Sequence, residues 1–292
     1  MKFSEHLKEL RAASGLSQEK LAERLGVSRQ VITKWETDRG TPDMENLLAL
    51  ANVFGISLDR LMTGAEDKTL AADDLYESVT EYDIGDHKRF DIKLSAARSV
   101  TVSGYAGEKI KIRLTSDSFS SLERDFKIKV DDIRGRLDVE LNRRPGVAKA
   151  AALAGLDVDI QLPQGFVSRV EIQAAADKLT VRDLACEDLE YGGKVNAVLI
   201  DGFSGELELN CNLDMQIDCR ALSGSLDINQ LSAISRVTVP GDVPVSVRSR
   251  GIGNAVYFER GGAAAEDFSV ADADTSIELN GVKSELFICA AE

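Results

Sequence analysis

The side chains best suited to chemistry lie in one short stretch, Ser28-Arg29-Gln30-Val31-Ile32-Thr33-Lys34-Trp35-Glu36. Arg29 and Lys34 can donate to guanine O6 and N7, Gln30 can bond adenine N6 and N7, and Thr33 can meet a thymine methyl or the backbone. Ile32 and Trp35 lie three apart and share one helical face, which leaves Arg29, Gln30, Thr33 and Lys34 on the other. A helix with such a back and front suits the major groove of B-DNA in width and in chemistry. On its own the stretch also fits a solvated surface helix, so its flanks decide.

Four further elements must hold it in place. Ser28 is placed at the N-cap, where its hydroxyl can accept from a free N–H of the first turn. Gly26 makes the turn before it, a position that often needs positive φ. Ser17 caps a helix over 18–25 with Leu21, Ala22 and Leu25 inward. A first helix over 3–13 turns Leu7 and Leu10 inward. Asp38-Arg39-Gly40-Thr41-Pro42 reads as a loop. A fourth helix is predicted over 43–54 with Leu47, Leu50, Ala51 and Phe54 inward, and Ser57 starts a fifth through Leu58 and Leu61. Two short helices around a glycine turn, the second showing polar residues outward, form a helix-turn-helix pattern.

Residues 3–63 resemble the phage-repressor-like helix-turn-helix domains of the Cro/C1, or xenobiotic-response-element, type. The matching residues are Leu10-Arg11, Gly15-Leu16-Ser17-Gln18, Leu21-Ala22, Leu25-Gly26-Val27-Ser28, Ile32, Trp35-Glu36, Leu47 through Leu50, and Gly55-Ile56-Ser57-Leu58-Asp59-Arg60-Leu61. The resemblance implies that Arg29, Gln30, Thr33 and Lys34 contact bases. It implies that Gln18, Ser28, Thr37 and Arg39 contact phosphates, as helix N-termini and the following loop can. It also implies an architectural ion pair between Arg11 and Glu36, with Trp35 a core residue beside Ile32. Domains of this type usually bind as dimers on paired half-sites.

Charge separates this segment from the rest. The chain of 292 residues has a formal net charge of −14, yet residues 1–62 carry nine Lys+Arg and nine Asp+Glu. All the excess acid therefore lies beyond them, which suggests two domains with different partners. Hydrophobic content of 43% is enough for packed cores. No run of eighteen apolar residues exists to span a membrane, and Met1-Lys2-Phe3-Ser4-Glu5-His6 lacks the apolar core of a signal peptide. The expected location is the cytoplasm, with no membrane partner. Cys186, Cys211, Cys219 and Cys289 form no CxxC pair, and His6 and His87 lie in different segments. Neither a metal site nor a histidine-dependent active site is expected, and no cofactor.

Residues 64–88 are rich in Glu and Asp and read as an acidic linker. From 89 to 292 the pattern becomes period-two strands, among them 90–94, 109–114, 137–141 and Leu156-Asp157-Val158-Asp159-Ile160-Gln161-Leu162-Pro163. From Val170 to Val239 strands recur about every ten residues. Ser204-Gly205-Glu206-Leu207 and Ser223-Gly224-Ser225-Leu226 mark turns about nineteen residues apart. Such spacing suits stacked coils, and a sandwich of hairpins gives similar intervals. Cys211 and Cys219 fall at inward positions. The strand at 156–163 and the Ser-Gly-x-Leu turns resemble a bacterial β-solenoid family of adhesin-like domains whose function is unknown.

The fold class expected is thus two-domain: a five-helix helix-turn-helix domain at 1–63, then a β-solenoid or β-helix-like domain at 89–292. The function expected is a bacterial transcription regulator, a repressor, that reads double-stranded DNA as a homodimer. The β-domain would self-associate or sense an unknown ligand or protein partner. An antitoxin-like or scaffold protein, whose β-domain grips a partner protein, is the alternative. A carbohydrate-active solenoid enzyme is the third reading, but no nucleophile–base pair or metal cluster supports it, so no enzyme is expected.

Overall fold

The computed structural model describes residues 3–13, 16–43, 46–47, 49–50 and 75–291. The chain divides into two compact units, Met1–Asp74 and Leu75–Glu292. The first holds helices α1 (Phe3–Ala13), α2 (Gln18–Leu25) and α3 (Arg29–Glu36). Residues 46, 47, 49 and 50 are helical as well. Asp43, where the fourth helix is predicted to begin, is not helical, and its Oδ1 accepts from the Asn46 N–H at 2.9 Å; the other residues of that predicted helix and all of the fifth lie outside the described residues. Leu7, Leu21, Ala22, Ile32, Trp35, Leu47 and Leu50 close one small core, with Leu10 and Leu25 packed against it.

The described residues of the second unit include two short α-helices, α4 (Leu122–Asp125) and α5 (Lys149–Gly155), and a 3-10 turn at Gln164–Phe166. Its strands are β1 (Tyr76–Asp83), β2 (Lys88–Leu94), β3 (Ala97–Tyr105), β4 (Lys109–Ser116), β5 (Phe126–Ile133), β6 (Arg136–Arg143), β7 (Leu156–Pro163) and β8 (Val167–Lys194). They continue with β9 (Ala197–Asn210), β10 (Met215–Leu231), β11 (Ile234–Val239), β12 (Val245–Ile252), β13 (Ala255–Arg260), β14 (Ala263–Ala265), β15 (Thr275–Val282) and β16 (Glu285–Ala290). One run of hydrogen-bonded neighbours is β1-β4-β7-β3-β8-β9-β10-β11-β16-β13-β14. A second joins β5-β6-β2-β8, and β10 continues to β15 and β12. The long strands β8, β9 and β10 pair in parallel, so that Leu179, Val198 and Ile217 are neighbours, and Leu189, Leu207 and Leu226 are neighbours further along. All six belong to one apolar core that runs through the unit, and Cys211 and Cys219 are buried in it.

The acidic linker expected over 64–88 needs correction. Tyr76–Asp83 is β1, antiparallel to β4 from Tyr76↔Ser116 to Asp83↔Lys109. Its inward-leaning residues are Ser78, Thr80 and Tyr82, which give no apolar alternation to read. Its acid is balanced across the pair: Glu77 meets Arg113 at 3.2 Å and Glu81 meets Lys109 at 3.4 Å. Residues 64–74 lie outside the described residues.

The two Ser-Gly-x-Leu segments also differ from expectation. They are kinks inside β9 and β10, stacked in register with Ser204 on Ser223 and Gly205 on Gly224. Gly205 has φ +135° and Gly224 φ +127°. A Cβ on Gly224 would run into the carbonyl oxygen of Gly205. Only glycine fits here, because the dihedral and the close approach both exclude a side chain. Gly224→Ala should therefore cost at least about 2–3 kcal/mol, read as a lower urea midpoint for the loss of β-sheet circular dichroism.

A row of carboxylates crosses the outside of β8, β9, β10 and β15: Glu190 beside Glu208, Glu208 beside Asp227, Asp227 beside Glu278. Burial raises the pKa of Glu190, and so do Glu208 and Glu171. Burial also raises that of Asp227, helped by Glu278, Glu208 and Glu206 and opposed by Arg250. A carboxyl whose pKa is higher folded than unfolded stabilises fully below its unfolded value and loses that contribution as pH rises through its folded value. Asp227→Asn should therefore stabilise the unit at pH 7 by roughly 0.5–1 kcal/mol, because it removes like charges from directly opposed positions. The gain should be smaller at about pH 5 than at pH 7, because a carboxyl with a raised pKa takes up its proton earlier as pH falls and loses the repulsion. Paired thermal melts at the two pH values measure it.

Candidate nucleic-acid interface

The α2–turn–α3 corner is shaped by Gly26 and its neighbours. Gly26 takes φ +68°, and the Val27 N–H donates to the Ala22 carbonyl at 3.0 Å, closing the end of α2. Ser17 caps the start of α2, its Oγ accepting from the Lys20 N–H at 3.1 Å. α3 then leaves with Ile32 and Trp35 buried and Arg29, Gln30, Thr33 and Lys34 all exposed on its other side. The structure brings these four predicted base-contacting residues together on one face of one helix.

Ser28 occupies the N-cap position with extended backbone, φ −77° and ψ 151°, but its side chain makes no capping bond. This corrects the expected hydroxyl cap. The Ser28 carbonyl accepts from the Val31 N–H at 2.9 Å, so the first turn is closed by backbone, and the exposed hydroxyl is left for an outside acceptor. Thr37 and Arg39 follow α3 and are exposed. The Thr37 hydroxyl donates back to the Thr33 carbonyl at 2.7 Å, and the Thr33 hydroxyl donates to the Arg29 carbonyl at 3.1 Å. Both hydroxyls are thus engaged as donors within the helix, and both residues are exposed.

Behind the face, Glu36 fixes three elements at once. Arg11 grips it with two bonds, Nε to Oε1 at 2.6 Å and Nη2 to Oε2 at 3.1 Å. Arg11 Nη1 also donates to the Leu16 carbonyl at 2.8 Å. Gln18 Nε2 donates to Glu36 Oε2 at 2.8 Å. α1, the start of α2 and the end of α3 are therefore tied through one carboxylate whose side chain is 2% exposed. The bond to Glu36 raises the Arg11 pKa further above an already high value. The role of Gln18 in this network was not legible in its position, which fits a phosphate contact equally well. Its amide oxygen also lies 3.4 Å from the Thr33 hydroxyl, so it links the start of α2 to the reading face.

Comparison with known proteins bears on this unit. Residues 7–61 match the family described as helix-turn-helix. The HTH-type transcriptional activator BcrR of Enterococcus faecalis is 46% identical over 71 residues, which cover 24% of this chain and 35% of that protein. The cryptic phage CTXphi transcriptional repressor RstR of Vibrio cholerae is 38% identical over 61 residues, covering 21% of this chain and 54% of that protein. Aligned segments thus span between about a third and three fifths of such relatives. The P22 c2 repressor, solved with a synthetic operator, is 33% identical, covering 22% of this chain and 97% of that one with a TM-score of 0.22. A chain described as a cell adhesion protein, from Clostridium sporogenes, covers 74% of this chain and 100% of its own at 13% identity and TM-score 0.39, too loose a likeness to fix the fold of the β unit. Residues 7–61, with α2, the Gly26 turn and the outward face of α3, are a domain of the helix-turn-helix family.

Proposed function

We propose that the chain is a sequence-specific DNA-binding transcription regulator without enzymatic activity, acting in the cytoplasm. The observation that carries this reading is the exposed row Arg29, Gln30, Thr33 and Lys34 on α3 of a helix-turn-helix domain. Arg29, Gln30 and Lys34 would read base edges, with Thr33 against a thymine methyl. Ser28, Thr37 and Arg39 would hold the phosphates on either side, and Gln18 would do so from the start of α2.

A domain with no net charge and one eight-residue reading helix binds weakly alone. Two copies on paired half-sites gain by effective concentration, so the working form is a homodimer. The β unit, read as a solenoid of stacked coils from its parallel β8–β9–β10 register, supplies self-association or a sensing site. Repression is the proposed outcome, because it needs only occupancy of a site. Activation needs a further contact with the transcription machinery. The relatives include a named activator as well as named repressors, so their names do not choose.

Selection of the full-length chain against randomised duplex DNA tests the reading. The expected product is a palindromic motif with half-sites about 10 base pairs apart. A promoter carrying that motif should lose output when the protein is present, and a rise in output would replace repression by activation.

A further inference from the structure

The bends of β9 and β10 stack residue on residue, Phe203 on Leu222 and Ser204 on Ser223. The next crossing of the chain does not continue that stack. After β11 it runs through Pro240-Gly241-Asp242-Val243-Pro244 to β12, and β12 pairs with β15. Pro240 and Pro244 have no N–H to give a ladder. Between this crossing and the two bends lies a cavity of about 430 Å³, within the range of about 300–1,000 Å³ common for small-molecule sites.

Its lining is apolar, with Phe203, Leu222, Val239 and Val245 as the large walls. Cys219 also lines it, and burial pushes its thiol up to about 12, so that group is neutral at ordinary pH. Arg220 is the one charged side chain among the lining residues. It sits at an irregularity of the sheet. Cys219 pairs with Ile200, Ala221 with Asp201 and Leu222 with Phe203, so the register slips and Arg220 has no partner in the ladder. Bulges of this kind redirect a side chain and gather beside binding sites. Arg220 Nε holds Asp218 at 2.9 Å, with both side chains about half exposed. Such a surface pair is weak, and the outer Nη edge of the guanidinium is suited to a second carboxylate.

We propose that this cavity binds a small hydrophobic carboxylic acid. Its chain lies among Phe203, Leu222, Val239 and Val245, and its carboxylate lies on Arg220. Arg220 lines the cavity and its partner Asp218 does not, so a carboxylate would meet the charged residue of the lining that suits it, and a cation would meet a like charge. The site gives a ligand to the sensing role proposed above for the β unit, and rests on that reading only for its purpose.

Titration calorimetry of the full-length chain with octanoate and with 1-octanol tests it, on the wild type and on Arg220→Gln and Ala221→Trp. Octanoate should bind saturably. Arg220→Gln should weaken octanoate about tenfold or more through loss of a charge-assisted contact while leaving octanol within about twofold. Ala221 is an exposed lining residue, and tryptophan there should close the cavity to both ligands without unfolding the sheet. Circular dichroism confirms that each variant is folded. Absence of octanoate binding to the folded wild type, or equal octanoate affinity in the Arg220→Gln variant, would overturn the proposal. The measurement uses no DNA, so failure here and failure to find an operator are separate results.

Discussion

Arg11→Ala should cost the N-terminal unit about 3–5 kcal/mol, because it leaves a buried carboxylate without its partner. Glu36 is almost wholly enclosed and accepts from Arg11 through both oxygens. Gln18 donates one further bond to it, which cannot replace a full positive charge. Small domains are stable by only about 5 kcal/mol, so the variant should be largely unfolded in this unit and lose DNA binding with it. Trp35 is the only tryptophan of the chain and lies in the helical core. Urea unfolding followed by tryptophan fluorescence therefore reads this unit apart from the β unit. Arg11→Met combined with Glu36→Met should recover much of the loss, since an apolar pair of similar volume carries no desolvation cost. An Arg11→Ala midpoint equal to the wild type would remove the ion pair from the account of how α3 is held.

The second large effect concerns the reading face itself. Arg29→Ala, Gln30→Ala and Lys34→Ala should each relax specificity at one position of the half-site, at about 1–3 kcal/mol apiece. Combined, they should weaken binding to the selected duplex by at least about 100-fold. Arg39→Ala should behave differently. As a phosphate contact, its loss should weaken binding to all sequences alike and lower the salt slope by about 1. Alanine at Arg29, Gln30 and Lys34 should leave the melting temperature unchanged, because all three side chains are exposed and none belongs to the helical core.

Much of the N-terminal unit was legible because its signals are local. Ser17 and Gly26 mark the ends of α2 by hydrogen bonding and by φ, and Ile32 with Trp35 sets which way α3 faces. Ser28 shows the limit: the residue type and position suit a cap, but whether its hydroxyl turns to the helix or outward is decided by geometry that no sequence pattern records. In the β unit, alternation located β2, β4, β6 and β7, where one face is buried and the other is not. It missed β1, whose inward side is Ser78, Thr80 and Tyr82, and it gave no reading of β12, whose second half is exposed on both sides.

The order of strands was less accessible still. β15 lies between β10 and β12, β16 between β11 and β13, and β7 between β3 and β4. Each is a later segment inserted between earlier ones, a pairing across long sequence separations that local periodicity does not encode. The Arg220 bulge and the cavity beside it follow from the same non-local arrangement.

The most direct measurement is a pair of binding isotherms on the selected duplex, at one fixed salt concentration, for the wild-type chain and the Arg29→Ala/Gln30→Ala/Lys34→Ala variant. Thermal melts of both accompany it. The account predicts tight, motif-dependent binding by the wild type, at least about 100-fold weaker binding by the variant, and equal melting temperatures. Equal affinity in the two chains, with both folded, would contradict the assignment of α3 as the helix that reads DNA.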